Sequence, residues 1–413
     1  MAHERAESAP RAGSVFSEPD FVRLWIIGVS TFTVRWLETL VISVFVYQRT
    51  SSEFTVALMM MWRVLPMALF GAFLGAWSDV IDRRLALMVI LIGSLGTSLS
   101  IAALAFWGTL EIWQLGIASF VNGIAWACDN PVRRTLLGQA AGPSRLGTAM
   151  AVDVGSNNAS RVLGPAIGGI LMVAAGIHGA FFCGALLYFV GLLAALALEP
   201  RTKDQNTTAT PVLTQLLNGW REISLNDRFR GLLLITILFN IFGWPMVSLI
   251  PVISQDVLRL KPDWTGVLTG IDGAATLLGA ILIGSFAPRR WFGRLYVLGA
   301  GIFAVMMGAF ATAGDPVAAV AILLAVGLGG AGFSVMQSTL VFMAVPPALR
   351  GAAFGILSVC IGVSPLGLVL VGSLANVVGA PAALKIFSVL GVFSIAATFT
   401  AWRKLWTSRW APG

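Results

Sequence analysis

Six ionisable side chains lie deep inside long apolar stretches of the 413-residue chain. They are Arg35, Glu38, Arg63, Asp129, Arg161 and Asp272. A charged side chain at the centre of a bilayer costs about 2.5–3.5 kcal/mol on insertion scales, so such residues pair with one another or line a wet cavity. Carboxylates in this setting also form proton relays. The chemistry that these residue types indicate is therefore ion pairing and proton uptake inside a membrane.

Glu38 is the first candidate for a proton-coupling carboxylate. It follows Arg35 by three residues, so the two side chains share one face of a helix. Arg63, in the next apolar run, lies at nearly the same depth as Glu38, about 15 Å from the same membrane surface. We therefore expect Glu38 and Arg63 to meet, either as a coupling site or as a permanent structural ion pair. Asp272, from the second half of the chain, is the alternative coupling carboxylate.

A polar stripe runs along the fifth apolar run. Asp153, Asn157 and Arg161 recur at four-residue spacing and so share a helix face. Gly164 and Gly168 continue nearly the same side toward the far end. Because lipid would not tolerate this stripe, we expect it to face a cavity or the opposite half of the protein.

A cargo site would combine cationic, aromatic and small polar side chains around one cavity. The candidates are Arg35, Arg63, Arg161, Asn157, Asn158, Trp36 and Asn240. The excess of buried arginines favours an anionic or polar cargo over a cationic one. Aromatic residues of membrane helices also serve as packing residues or interface anchors, which is the alternative role for Trp36.

The elements that position these residues are long apolar helices. The chain is 57% hydrophobic and 11% charged, whereas a soluble domain carries about 25% charge, and its mean hydropathy is +0.86. A membrane crossing needs about 20 apolar residues of helix, and the sequence contains twelve such runs: 21–48, 54–79, 85–107, 112–138, 147–175, 179–198, 229–256, 263–287, 292–313, 315–344, 349–378 and 381–405. The composition thus predicts an all-α integral membrane protein and excludes a soluble enzyme, a disordered chain and a nucleic-acid-binding domain.

The runs divide into two groups of six. Residues 1–20 form an N-terminal tail, 21–198 a first six-helix bundle, 199–228 a polar linker, 229–405 a second bundle and 406–413 a C-terminal tail. Gly75 follows Phe21 and Gly284 follows Phe229 at nearly equal offsets, and a basic turn follows each glycine. Weak internal symmetry of this kind is typical of transporter repeats.

Orientation follows from the basic residues. The net charge is +8, and the arginines concentrate in loops that share one side, such as Arg83, Arg84, Arg289 and Arg290. Loops rich in Lys and Arg stay cytoplasmic. We therefore expect both termini to be cytoplasmic and the protein to lie in the inner membrane of the cell.

Three stretches resemble the major facilitator superfamily. In GAWSDVIDRR, residues 75–84, the residues Gly75, Asp79, Arg83 and Arg84 match the loop signature, whereas Val80 and Asp82 depart from it. NNASRVLGPAIGG, residues 157–169, is similar to the glycine–proline motif of the antiporter branches through Gly164, Pro165, Gly168 and Gly169. Together with DNPVRRTLL (129–137) and VPPALRG (345–351), these stretches resemble the branch with the enterobactin exporter and macrolide efflux proteins.

This resemblance implies two pseudo-symmetric six-helix bundles, alternating access and export of a small organic molecule such as a siderophore or drug. It implies gating roles for the loop residues and for Asp129, which would pair with Arg83 or Arg133 at an inner gate. It also places the glycine–proline motif between the two halves, although the same small residues could serve helix packing alone. An importer or facilitator of an anionic nutrient and a non-transporting membrane sensor are the alternative functions.

Other chemistry has no support in the sequence. Cys128, Cys183 and Cys360 stand singly, and His3 and His178 are the two histidines, so neither a disulfide framework nor a zinc site is indicated. Nucleotide, protease and hydrolase motifs do not occur. We expect no enzyme activity, cofactor, metal or nucleic-acid partner; the expected partners are a small-molecule cargo, protons and the lipid bilayer, with the protein a monomer.

Overall fold

The computed structural model describes residues 12–80, 82–142, 145–199, 226–345 and 350–407, with residues 71–80 described in their backbone only. Within these ranges the chain is almost entirely helical and forms no strand. Ten described stretches are long and apolar enough to cross a membrane. The predicted all-α membrane class is therefore confirmed.

The first half contains five long helices after a short 3-10 turn, Ala12–Ser17. They are α1 Pro19–Thr50, α2 Glu53–Val80, α3 Arg83–Phe106, α4 Ile112–Ala141 and α5 Leu146–Leu196. The second half contains α6 Asp227–Leu238, α7 Ile250–Asp256, α8 Pro262–Phe286, α9 Phe292–Phe310, α10 Pro316–Ala344, α11 Arg350–Ile361, α12 Ser364–Val378, α13 Ala380–Ala397 and α14 Phe399–Thr407.

Helix α5 contains two predicted runs and reverses direction between them. Gly176 has φ 65° and ψ −169°, a conformation that essentially only glycine adopts. The residues before Gly176 run along α1 in one direction, because Gly164 and then Gly168 contact successively later residues of α1. The residues after Gly176 run back, because Gly184 and then Gly191 contact successively earlier residues of the same helix. Helix α4 is not among the ten stretches that are long and apolar enough to cross a membrane. It has the required length but contains the polar residues Asn122 and Asp129.

Two runs predicted as single helices in the second half are broken. Run 229–256 consists of α6, a π-helical turn Phe239–Gly243, a 3-10 turn Trp244–Leu249 and α7. Run 349–378 divides into α11 and α12 at residues 362–363. A proline lies at each break, Pro245 within the 3-10 turn and Pro365 at the start of α12. The proline ring removes an N–H donor and clashes with the preceding turn, which interrupts the helix.

The last run also ends earlier than predicted. Helix α13 stops at Ala397, and α14 is a separate short helix rather than a continuation. The basic residues Arg403 and Lys404 alternate there with Trp402 and Leu405, which are buried. This pattern suits a helix that lies at the membrane surface. The linker 199–228, apart from its first and last residues, lies outside the described ranges.

The bundle has two ends, which we name by their residues. The basic end is where α2 meets α3 and α8 meets α9, beside Arg84 and Arg290. The opposite end contains the α1–α2 and α7–α8 connections. The two halves contact each other chiefly through α5 against α8 and α2 against α12.

Candidate functional site

An ion pair joins the two halves at mid-membrane. Arg161 of α5 donates through Nη2 to Oδ2 of Asp272 on α8. The Asp272 side chain is 3% exposed and the Arg161 side chain 20%. Close packing explains how the two helices come together, since a Cβ on Gly273 would lie 2.9 Å from Arg161 Cγ. The sequence-predicted residues Arg161 and Asp272 thus form one site, drawn from both halves.

Three polar atoms around this ion pair have no partner among the described residues. They are Oδ1 of Asp272, Oδ1 of Asn157 and Nε1 of Trp36, and all three are buried. Asn157 lies one helical turn from Arg161, and the Arg161 guanidinium lies 5.3 Å from the centre of the Trp36 ring. A buried polar group without a partner costs about 1–3 kcal/mol. These atoms therefore leave hydrogen-bonding capacity for a ligand or water beside the pair.

The glycine–proline motif continues this interface toward the opposite end. Gly164 and Gly168 turn to α1, where a Cβ on Gly168 would lie 3.0 Å from the Leu37 carbonyl oxygen. Pro165 and Gly169 turn to α8, where they meet Gly266 and Pro262. The motif thus forms two close helix contacts, α5 with α1 within the first half and α5 with α8 between the halves. Neither contact leaves room for a side chain at the glycine.

Hydrogen bonds between the halves also cluster at the opposite end. Gln48 Nε2 donates to Gln255 Oε1 at 3.1 Å, and Ser52 Oγ donates to Asn376 Oδ1 at 3.3 Å. From this end to the level of Arg161 the halves stay together over about 20 Å of helix. Nearer the basic end, a Cβ on Gly155 or Gly284 would meet open space. Among the described residues the halves are therefore in contact from the opposite end to the level of Arg161.

Glu38 lies elsewhere, inside the first half. It is fully buried, and Arg63 Nη2 donates to its Oε2 at 2.7 Å. Asn122 Nδ2 donates to Oε2 at 2.8 Å and Ser98 Oγ to Oε1 at 2.7 Å. Four helices, α1 to α4, thus surround one carboxylate whose two oxygens both accept hydrogen bonds.

Arg63 and Arg35 differ in how their charges are balanced. Besides Glu38, Arg63 donates to the Arg35 carbonyl oxygen at 3.0 Å. The Arg35 guanidinium instead lies over Trp126 at 4.6 Å and Phe32 at 5.3 Å from the ring centres. It lines a narrow space that also contains Asp129 and leaves about 20 Å³ for water. The residues that line this space all belong to the first half. The cargo-binding role of Arg35 and Arg63 at a cavity between the halves stays a prediction.

A charge cluster closes the basic end of the first half. Arg133 Nη1 donates to Asp153 Oδ1 at 2.5 Å, and its Nε contacts Asp129 at 3.2 Å. Arg134 donates to the other Asp153 oxygen at 3.1 Å. Asp153 therefore faces its own half, which differs from the predicted stripe. Arg133 is fully buried, and its contact with Asp129 is one of the two pairings that the sequence predicted. The gating role of Asp129 stays a prediction.

The remaining predicted residues have local roles or lie outside the description. Asn240 is buried and donates to the Thr236 carbonyl oxygen of its own helix. Asn158 is half-buried. Arg84 donates to the Leu196 carbonyl oxygen at 2.7 Å. Gly75 and Asp79 fall where the side chains of α2 lie outside the described residues, so their gating role stays a prediction.

Comparisons with known proteins agree with this arrangement. Residues 24–365 match the family model of the Major Facilitator Superfamily. Macrolide efflux protein A of Streptococcus pyogenes is 22% identical over 371 residues, which cover 87% of this chain and 90% of that protein. The staphyloferrin A transporter of Staphylococcus aureus is 20% identical, with 89% and 91% covered. A bacterial homologue of the human lysosomal transporter Spinster, solved in an inward-facing unoccupied conformation, superposes with a TM-score of 0.73 at 15% identity, over 98% of this chain and 100% of that one.

Proposed function

Because this chain belongs to the Major Facilitator Superfamily, we propose that it exports a small organic molecule from the cell in exchange for protons. The family is one of membrane transporters rather than enzymes. Export is supported by relatives that are described as macrolide efflux and staphyloferrin A transport proteins. We place the basic end on the cytoplasmic side, as the arginine distribution predicts, so that the opposite end, where the halves are in contact, faces the outside.

The observation that carries the proposal is the Arg161–Asp272 pair. It lies where α5 packs against Gly273 of α8, and each half supplies one charge. Any movement that opens the opposite end must separate these two helices and break the pair. The free energy of the pair therefore differs between the two conformations, which is what a ligand needs in order to shift their populations.

Protonation of Asp272 then couples to opening. A neutral Asp272 loses its charge attraction to Arg161, so the conformation open to the outside becomes more favourable. In that conformation Asp272 is separated from Arg161 and takes up a proton from outside. After the protonated protein has returned, re-formation of the pair with Arg161 releases the proton to the cytoplasm. Cargo that enters from the cytoplasm meets Arg161 together with Asn157 and Trp36, each of which has a buried polar atom without a partner among the described residues. Proton entry and cargo exit thus alternate at one site.

Glu38 is the weaker candidate for coupling. Its partners Arg63, Ser98 and Asn122 all belong to the first half. A change in its charge would alter the interior of one rigid body and not the contact between two. We therefore assign Glu38 a structural role and Asp272 the coupling role.

The test needs no knowledge of the cargo. The background is a chain with its three cysteines replaced by serine, and Gln48→Cys then places a single thiol at the opposite end. This thiol should react faster with a membrane-impermeant maleimide at pH 5.5 than at pH 8. The effect of pH on thiol ionisation itself is corrected with the rate of an exposed control cysteine. Asp272→Asn should remove this difference, and Glu38→Gln should keep it. An unchanged pH dependence in Asp272→Asn would refute the coupling role.

Direction is tested with inverted and right-side-out vesicles. A labelled macrolide and labelled staphyloferrin A serve as probes, with a pH gradient as the driving force. Accumulation in inverted vesicles is expected, because these vesicles expose the cytoplasmic side. Accumulation only in right-side-out vesicles would contradict export and favour an importer.

A further inference from the structure

A lipid-facing groove runs between α9 and α13 near the basic end. Gly301, Ile302 and Val305 line one wall and Ile395 the other, while Trp402 and Trp406 of α14 close its end. Its lining is almost wholly apolar, and the empty space amounts to about 1100 Å³, counted to its open side. The groove lies on a different surface from the Arg161–Asp272 site and takes no part in the proposed export.

Positive charge surrounds the mouth of this groove. Arg289 and Arg290 precede α9 and are exposed, and so is Arg403 on α14. Arg294 lies between the two elements, with its guanidinium 5.6 Å from the Trp291 ring centre and 5.8 Å from that of Trp406. None of these four arginines forms an ion pair with a carboxylate of the described chain. The mouth therefore carries uncompensated charge.

We propose that the groove binds an anionic phospholipid of the leaflet at the basic end. Its acyl chains lie against α9 and α13, and its phosphate lies among Arg290, Arg294 and Arg403. From Phe292 to Met306 helix α9 rises about 20 Å, enough to accompany an acyl chain to the middle of a core about 30 Å thick. Basic clusters at membrane-facing pockets attract anionic head groups, and tryptophan favours the interface where Trp402 and Trp406 lie.

The chemistry of the groove selects this occupant. A water-soluble anion would use the arginines and leave the apolar walls exposed to water. A zwitterionic phospholipid would fill the walls and gain little from the cations. An anionic phospholipid uses both features.

The charge requirement is tested on the purified full chain in detergent after delipidation. Phosphatidylglycerol and phosphatidylcholine with identical brominated acyl chains are compared by quenching of tryptophan fluorescence. Phosphatidylglycerol should bind more tightly, and Arg290→Gln with Arg403→Gln should weaken it about 25-fold, at roughly fivefold per charge. Lys385→Gln, at the far end of α13, removes an exposed charge outside the site and should have no effect. Equal affinity for both lipids, an unaffected double variant, or competition by millimolar inorganic phosphate would overturn the proposal.

The groove itself is tested by filling it. A Cβ on Gly301 meets open space, as does one on Gly96 of α3, so leucine fits the fold at both positions. Gly301→Leu should abolish the quenching difference between the lipids, and Gly96→Leu should retain it. Retention in Gly301→Leu, or a protein dimer that only Gly301→Leu disrupts, would contradict a lipid in the groove.

Discussion

Removal of the Glu38 charge should destabilise the protein far more than removal of an equally short surface ion pair. Glu38 is fully buried and Arg63 is 5% exposed, so Glu38→Gln leaves the Arg63 charge without compensation in an apolar bundle. Breaking one partner of a buried pair costs about 3–5 kcal/mol. Since a whole domain is stable by only about 5–15 kcal/mol, this is a large share of the free energy of unfolding.

The control is present in the same chain. Arg145 and Glu18 also lie 2.7 Å apart, but the Glu18 side chain is 43% exposed. Water screens such a pair, and its loss costs about 0–1 kcal/mol. Glu18→Gln should therefore leave the unfolding transition nearly unchanged, although the distance between Glu18 and Arg145 equals that between Glu38 and Arg63.

Reversible unfolding in mixed micelles, followed by tryptophan fluorescence, measures both costs. The double variant Glu38→Gln with Arg63→Gln should recover part of the loss, because no lone charge remains. If Glu38→Gln costs no more than Glu18→Gln, or if the double variant simply adds two losses, the reasoning from burial fails.

Two further substitutions test the interface and the reversal of α5. Gly266→Leu should hold the halves apart at the opposite end, since its Cβ would lie 3.1 Å from Gly169 Cα, and this should make Gln48→Cys more reactive with maleimide. Gly284→Leu adds a side chain in open space on the same helix and should leave the reactivity of Gln48→Cys unchanged. Equal reactivity in the two variants would contradict the close contact at Gly266. Gly176→Ala should lower the free energy of unfolding by about 1–3 kcal/mol, because its φ of 65° strains any side chain; no loss in the same micelle assay would mean that the turn relaxes.

The membrane class and the course of the helices could be predicted because lipid imposes one simple rule. Every crossing must satisfy its backbone internally and stay apolar for about 20 residues, so composition alone indicates helices. The family resemblance from residues 75–84 and 157–169 is confirmed by the match over residues 24–365. The break at Gly243 and Pro245 was missed because most of the surrounding residues are apolar, and hydropathy does not register a change of helix type.

The depth of a residue in the membrane, counted along its helix, predicted contacts within one half better than contacts between the halves. Glu38 and Arg63 lie on consecutive helices, so equal depth brings them within reach, and the predicted pair forms. Asp272 gave no sequence sign of its partner, because Arg161 lies 111 residues away in the other half. The position of each half relative to the other depends on the conformational state, which one-dimensional periodicity does not encode. The Arg35 guanidinium lies over Phe32 and Trp126 of its own half, and its cargo-binding role stays a prediction.

The connections at the opposite end are very short. Residues 51–52 join α1 to α2, Gly379 alone joins α12 to α13, and Gly176 turns α5 back on itself. This face consists of helix ends and tight turns. It presents almost no extended chain that an antibody could bind or a protease could cleave. A reporter peptide meant for that face would have to be inserted into one of the five-residue segments 107–111, 257–261 or 311–315, where added length would leave the helix pairing on either side intact.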